Sequence, residues 1–206
     1  MLTLCYAKKT CSMGIHILLE EAGVPHELKI VDFSKKEQKT PEYLAINPKG
    51  KVPALVREDG SVLTEYAAIA TWLAMTNPEK KLLPSDPEGI ARTIEALDFA
   101  VGTIHMLSWR LYRRPDAYTD NPDEHAQLGA RGKAAMMAGF DVVNDKLAGR
   151  DYLMGEYSIA DSALYYNCFW AVEVAGWSLP ANVQAHYERM QTRATVQASR
   201  KVEGVA

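Results

Sequence analysis

The chain has 206 residues and a formal net charge of −3, from 23 basic and 26 acidic side chains, which argues against a nucleic-acid-binding protein because no basic stripe neutralises phosphates. No apolar run approaches the roughly 20 residues of a membrane-spanning helix, and the N-terminal apolar residues precede the lysines, the wrong order for a signal peptide. Three cysteines without a CxxC spacing favour neither a disulfide framework nor a metal site, so we expect a cytoplasmic protein without a bound metal.

Residue patterns in the first part of the chain predict a small α/β domain. Gly23 and Pro25 end its first helix, and the turn at Asp59-Gly60 predicts a hairpin. The predicted strands are residues 2–6, 26–31, 52–56 and 61–63. The predicted helices are residues 12–22, 41–47 and 65–74. Strand-helix-strand followed by strand-strand-helix predicts a mixed sheet with one parallel and one antiparallel unit.

The second part of the chain is predicted to be helical. Three prolines between residues 77 and 87 indicate a linker, and helical periodicity dominates beyond it. The predicted helices are residues 87–112, 123–147 and 158–174, with shorter ones between 180 and 199. We therefore predict an α/β domain at residues 1–78, a linker at 79–87 and an all-α domain at 88–206.

A reactive cysteine is predicted at the head of the first helix. Cys11 follows the carboxyl end of the first strand, where α/β sheets bind ligands, and helix amides lower the pKa of a thiol. Ser12 can donate a hydrogen bond to an anionic sulfur there, and Tyr6 ends the first strand with its hydroxyl near the same place. The alternatives are that Ser12 is only the helix cap, Cys11 a small packed residue and Tyr6 a core aromatic.

The segment around Pro53 predicts a peptide-like ligand. A proline at the start of a strand donates no ladder bond, so the neighbouring backbone edge is left for an extended ligand. Glu65 begins a helix, where a carboxylate can bind an amino group while the helix amides bind a carboxylate; the alternative is an ordinary first-turn acid. Nearby lysines either meet a second carboxylate or are simply solvated: Lys35, Lys36 and Lys49.

Together these residues resemble a cytosolic glutathione transferase of the bacterial beta class, over nearly the whole chain. The motifs that carry the resemblance are Tyr6, Cys11-Ser12, Asn47-Pro-Lys-Gly-Lys-Val-Pro53, Leu63-Thr-Glu65, His105, and Gly155 followed by Ser158-Ile-Ala-Asp161. The resemblance implies a thioredoxin-like domain (βαβ-ββα) joined to an all-helical domain, usually as a homodimer. It also implies a detoxifying enzyme with glutathione as co-substrate and no other cofactor.

The resemblance assigns roles in binding glutathione. Pro53 would be cis, and Val52 would pair its backbone with the cysteinyl unit. Glu65 and the Tyr66 backbone would hold the γ-glutamyl end, with Lys35 near the glycyl carboxylate. Tyr66 replaces a serine that many relatives have, which leaves only the backbone amide for the γ-glutamyl carboxylate.

The remaining roles concern the sulfur and the second subunit. Cys11 would lie beside the glutathione sulfur and be able to form a mixed disulfide with it, and His105 would approach the same sulfur from the helical domain. Asp98 replaces an asparagine that reaches the partner subunit's glutathione, and an aspartate there would pair with the γ-glutamyl ammonium. Lys8-Lys9 stands where the family often has Pro-Gly, so that turn is expected to be more cationic.

We therefore predict a glutathione S-transferase that activates the thiol for attack on a small hydrophobic electrophile. The electrophile pocket is expected near Met106, Trp109 and Arg113, and no nucleic-acid or membrane partner is expected. His105 alone would more often be a packed or surface residue. The alternatives are a glutathione-dependent thiol-disulfide oxidoreductase that uses Cys11, and a non-catalytic protein of the same fold that carries apolar ligands.

Overall fold

The computed structural model describes residues 1–205, which form two compact units. One comprises residues 1–85 together with the chain from Met190, and the other comprises Asp86–Arg189. Contacts thus group the C-terminal residues with the α/β part of the chain, whereas the sequence pattern predicts them in the helical domain. The predicted domain bounds stay a prediction.

The first unit is built on a four-stranded mixed sheet. Its strands are β1 (Leu2–Tyr6), β2 (His26–Ile30), β3 (Ala54–Val56) and β4 (Val62–Thr64). The order is β2-β1-β3-β4, with β1 parallel to β2 and antiparallel to β3, and with β3 antiparallel to β4. This is the predicted mixed sheet, and the α/β fold class is confirmed.

Helices cover this sheet. They are α1 (Ser12–Ala22), α2 (Pro41–Ile46) and α3 (Tyr66–Thr76). Helix α1 begins after Cys11, its N-cap residue, and ends at Gly23, whose left-handed conformation (φ 65°) lets its N–H bond to the carbonyls of Leu19 and Glu20. Most of α1 is buried because it packs against the sheet, α3 and the last helix of the chain. Its head is therefore held in a fixed place behind β1.

The last helix of the chain packs on α1. Arg193 forms an ion pair with Glu21, with N–O distances of 2.7 and 2.8 Å. At the far end of that helix, the Glu203 carboxylate accepts a hydrogen bond from the Lys9 N–H at 2.5 Å. Lys9 precedes Cys11 by two residues, so the C-terminal helix fixes the turn that leads into the head of α1.

The second unit is helical, as predicted. Its helices are α4 (Pro87–Asp98), α5 (Arg110–Arg113), α6 (His125–Lys146) and α7 (Ile159–Phe169); α8 (Ala181–Gln191) crosses into the first unit, where α9 (Ala194–Glu203) lies. Two stretches have π-helical hydrogen bonding, Phe99–Trp109 and Trp170–Val174. No helix within residues 1–205 is long and apolar enough to cross a membrane.

A capping box begins α7. The Asp161 carboxylate is fully buried and accepts hydrogen bonds from the N–H of Ser158 at 2.9 Å, from its hydroxyl at 3.0 Å and from the N–H of Leu153 at 3.0 Å. His186 lies 2.9 Å from the same carboxylate through Nε2. The Ser158-x-x-Asp161 pattern is therefore a capping box at the start of α7.

Candidate active site

The turn between β1 and α1 is organised by a buried hydroxyl. Ser12 Oγ is fully buried, donates to the Ala7 carbonyl at 3.1 Å and accepts from the Ala7 N–H at 3.2 Å. It also lies 2.7 Å from Thr10 Oγ1. These contacts bring residue 12 back onto the end of β1, so the serine hydroxyl shapes the loop that presents Cys11.

Cys11 is half-buried and lies beside the segment that precedes β3. Its Sγ donates a weak hydrogen bond to the Val52 carbonyl at 3.7 Å. Burial raises the pKa of the Cys11 thiol to about 12, and the negative charge of Glu65 adds to that rise. The backbone amides of Cys11 and Ser12 act in the opposite direction but do not outweigh burial. The expectation of a lowered thiol pKa is therefore wrong for this structure, because desolvation exceeds the helix contribution.

The peptide bond between Val52 and Pro53 is cis, as the resemblance implied. One side chain from α2 and one from its C-cap residue bind the backbone just before this peptide bond. The Lys51 carbonyl accepts a hydrogen bond from the Tyr43 hydroxyl at 2.6 Å and from the Asn47 amide at 2.7 Å. Val52 thus stands at a fixed position, with its carbonyl directed at the sulfur of Cys11.

Glu65 combines an unusual backbone with an exposed carboxylate. It is the N-cap residue of α3 and has φ 73°, a conformation that costs a non-glycine residue on the order of 1–3 kcal/mol and is concentrated at ligand sites. The side chain of Lys49 donates to Glu65 Oε1 at 2.5 Å and to Thr64 Oγ1 at 2.9 Å. The Glu65 carboxylate therefore binds an ammonium group, that of Lys49.

The other predicted glutathione residues are placed as follows. Tyr66 is the first residue of α3 and is buried. Lys35 is 73% exposed, and its Nζ lies 3.6 Å from Asp32. Lys49, one of three lysines named from the sequence, is the one that contacts Glu65. Its position inside the Asn47–Pro53 motif could have distinguished it from Lys35 and Lys36. Asp98 ends α4 in the second unit and is exposed.

His105 lies in an aromatic cluster of the second unit. Its Nδ1 is 3.2 Å from the Tyr166 hydroxyl, and its ring makes edge contacts with Tyr166 and Trp170. Trp170 stacks on Trp109 with 5.2 Å between ring centroids, and Trp177 meets Trp109 edge-on. The π-helical stretch that carries His105 and Trp109 thus presents both rings to one cluster, and such stretches are frequent at functional sites.

The predicted electrophile residues divide between this cluster and the surface. Trp109 is buried within the cluster, and Met106 is half-buried on the same π-helical stretch. Arg113 is exposed and lines a surface cavity of about 440 Å³ together with Tyr112, His125 and other residues of α6. Met106 and Trp109 thus lie on the same π-helical stretch, and Arg113 ends α5, the helix that follows it.

Comparison with known proteins gives a consistent result. The family model for the glutathione S-transferase N-terminal domain matches residues 10–76. The glutathione S-transferase GstA of Escherichia coli O157:H7 is 32% identical over 98% of both chains. A glutathione transferase homologue from Sulfitobacter, solved with bound glutathione, is 32% identical and has a TM-score of 0.91, covering 100% of this chain and 99% of that one.

A beta-class glutathione S-transferase of Sphingomonas chungbukensis is also similar, with 27% identity and a TM-score of 0.85 over 99% of this chain and 100% of that one. The α/β unit with a cis-proline segment and the helical unit define a protein of the glutathione-transferase type. The chain belongs to the glutathione S-transferase family, and its resemblance to the bacterial beta class is confirmed.

Proposed function

We propose that this protein binds glutathione in its α/β unit and promotes attack of the glutathione sulfur on a small hydrophobic electrophile, which forms a carbon–sulfur bond and expels the leaving group of the electrophile. The arrangement at Glu65 carries the proposal. A strained backbone presents its carboxylate at the N-terminus of α3, and Lys49 shows that an ammonium fits against it. The γ-glutamyl ammonium would take that position, and the amide of Tyr66 would bind the γ-glutamyl carboxylate with help from the helix N-terminus.

The backbone of Val52 would pair with the cysteinyl unit, which would bring the glutathione sulfur next to Cys11. The raised pKa of Cys11 means that this residue is a thiol at neutral pH. A thiol can donate a hydrogen bond to the glutathione thiolate. In the structure the Cys11 S–H donates to the Val52 carbonyl, and rotation of the side chain would direct it at a glutathione sulfur bound beside Val52. This favours Cys11 as a hydrogen-bond donor in transfer over Cys11 as the nucleophile of a disulfide oxidoreductase.

Substituting Cys11 separates these two functions. We expect Cys11→Ser, which keeps a donor, to retain most of the transfer to an aryl halide, whereas Cys11→Ala loses about tenfold or more, the equivalent of ~1.4 kcal/mol for one charge-assisted hydrogen bond. Both variants lose any reduction of a glutathione mixed disulfide. Transfer that falls equally in Cys11→Ser and Cys11→Ala would refute the donor role.

Calorimetry with glutathione tests the binding site. Replacing Glu65 by Gln removes the charge that attracts the ligand ammonium, so we expect affinity to fall by about tenfold or more. Glu79→Gln is the matched control, because Glu79 is also exposed but lies in the turn after α3. Equal affinities for Glu65→Gln and Glu79→Gln would remove Glu65 from the site and with it the observation that carries the proposal.

The helical unit would supply the electrophile site. The cluster around Trp109 offers stacked and edge-on aromatic rings to an apolar substrate, with Met106 as an adaptable neighbour. His105 would act from the same cluster on the glutathione sulfur. Arg113 and Lys35 would serve at the edges of the two subsites, Arg113 for the electrophile and Lys35 for the glycyl carboxylate.

The proposed assembly is a homodimer in the cytoplasm. Exposed apolar side chains support an interface, since Met75 and Leu107 are each 68% exposed. In such a dimer Asp98 would meet the γ-glutamyl ammonium bound by the partner. Sedimentation at micromolar concentration tests the state directly, and a monomer of 22.9 kDa would refute it.

A further inference from the structure

A cluster of metal-ligating side chains joins α1 to the start of β2. His16 and Glu20 are one helical turn apart, and the turn at Gly23 brings His26, the first residue of β2, back beside them. Glu20 Oε1 is 3.4 Å from His16 Nε2 and 3.6 Å from His26 Nε2. One ligand atom from each residue lies within 4.8 Å of the others.

These separations are near those of a zinc ligand set. Ligand atoms about 2.0–2.1 Å from a tetrahedral Zn²⁺ lie roughly 3.3 Å from one another, and two histidines with one glutamate are a common donor set. Since every pair of ligand atoms lies within 4.8 Å, closing on an ion shortens no separation by more than about 1.5 Å. Glu20 is 34% exposed and His26 11% exposed in their side chains, so an ion and a fourth ligand, water, have access from solvent.

The hydrogen bonding of His26 prepares its Nε2 for a cation. Its Nδ1 lies 2.9 Å from the Val24 carbonyl, which can only accept, so Nδ1 carries the proton. Nε2 then faces the Glu20 carboxylate, and either a proton or a metal cation between the two atoms would hold them together. A backbone carbonyl on the second ring nitrogen is also what orients metal-binding histidines.

His16 is suited to the same role. It is 1% exposed, and its Nδ1 has no hydrogen-bond partner in the described part of the chain. Its Nε2 lies 3.4 Å from the Glu20 carboxylate, close to the spacing of two ligand atoms on one zinc ion. The neighbouring Glu21 does not compete, because it is paired with Arg193.

We propose that His16, Glu20 and His26 form a binding site for one divalent transition-metal ion of the zinc type. The site is separate from the proposed glutathione site, since His16 and Glu20 follow Cys11 by five and nine residues, about 8 and 14 Å along the axis of α1. An ion there would tie the end of α1 to β2. It would therefore stabilise the α/β unit without touching the reacting sulfur.

Zinc calorimetry and cobalt spectroscopy on the untagged, metal-stripped chain test the proposal. We expect one Zn²⁺ per chain, and Co²⁺ in its place to give the intense visible absorption of tetrahedral coordination. Glu20→Gln and His26→Ala should each weaken Zn²⁺ binding by at least about tenfold. The matched controls Glu27→Gln, an exposed glutamate of β2, and His125→Ala, a histidine of the helical unit, should bind as the parent does.

Three outcomes would overturn the proposal. The first is a parent chain that binds Zn²⁺ no more tightly than His26→Ala, which leaves an ordinary contact between His26 and Glu20. The second is a Co²⁺ spectrum of the six-coordinate aqueous type. The third is a loss in Glu27→Gln as large as that in Glu20→Gln. Glutathione affinity of Glu20→Gln should equal that of the parent, so failure here is distinguishable from failure of the proposed function.

Discussion

The buried carboxylate of Glu203 makes the stability of the α/β unit depend on pH. Glu203 is 1% exposed, Oε2 accepts the Lys9 N–H, and Oε1 has no hydrogen-bond partner within residues 1–205. Burial raises the pKa of Glu203 from the ordinary 4.5 to about 7, although the charges of Lys8 and Lys9 oppose the rise. The folded protein therefore prefers the protonated acid.

The sign and size of the effect follow from linkage. Between pH 4.5 and 7 the unfolded chain loses the Glu203 proton while the folded chain keeps it, so the free energy of unfolding falls as the pH rises through that window. At about 1.4 kcal/mol for each pH unit between the two values, the stability that is present below pH 4.5 and lost above pH 7 is about 3 kcal/mol.

Glu203→Gln tests this reasoning, because the amide resembles the protonated acid and can still accept the Lys9 N–H. Urea unfolding of the parent and the variant should give equal stability near pH 4.5 and a variant that is more stable by about 3 kcal/mol at pH 8. Other titrating groups cancel in the difference, and Glu79→Gln serves as the exposed control. A difference that does not change with pH would refute the burial of a costly charge at residue 203.

Two further predictions concern the helical unit. Asp161→Ala leaves the buried N–H of Leu153 and the His186 ring without their acceptor, so thermal or urea unfolding should show a loss of about 3–5 kcal/mol. Gly132→Ala should destabilise the protein by about 1–3 kcal/mol, since its Cβ would lie 2.5 Å from the Tyr112 nitrogen. Gly129→Ala on the same helix meets nothing closer than 3.9 Å and should instead stabilise by up to about 1 kcal/mol; the same sign for both glycine variants would contradict the packing argument.

Local signals explain why most of the α/β unit could be predicted from the sequence. The Asp59-Gly60 turn and the apolar runs on either side of it define the hairpin, and Gly23 ends α1 where expected. The cis bond before Pro53 followed from the family resemblance. These features depend on a few neighbouring residues, so a single sequence contains them.

Features that depend on the folded surroundings could not be predicted. The pKa of Cys11 was expected to fall because the helix end is visible in the sequence, whereas the burial that raises it is not. Ser12 was expected as a possible cap, but its hydroxyl folds the turn onto Ala7 and Cys11 takes the N-cap position. The metal-ligating cluster at His26 could not be predicted either, because cysteine spacing gives no signal for it. Its other members, His16 and Glu20, lie on α1, whereas His26 lies on β2.

The π-helical stretch from Phe99 to Trp109 could not be predicted from the sequence either. A pattern of apolar residues predicts a helix but does not distinguish hydrogen bonds to the fifth residue from those to the fourth. The difference matters here because the wider turn sets which faces of His105 and Trp109 meet the aromatic cluster. The individual residues were therefore identified while their common arrangement was not.

The return of helix α9 to the α/β unit has a consequence for folding. Residues 86–189 are continuous, so the helical unit is built from one segment of the chain. The α/β unit, in contrast, depends on contacts between distant parts of the chain, such as that of Arg193 with Glu21 across 172 positions. Contacts of such long sequence separation form slowly, so we expect the α/β unit to complete its fold after the helical unit.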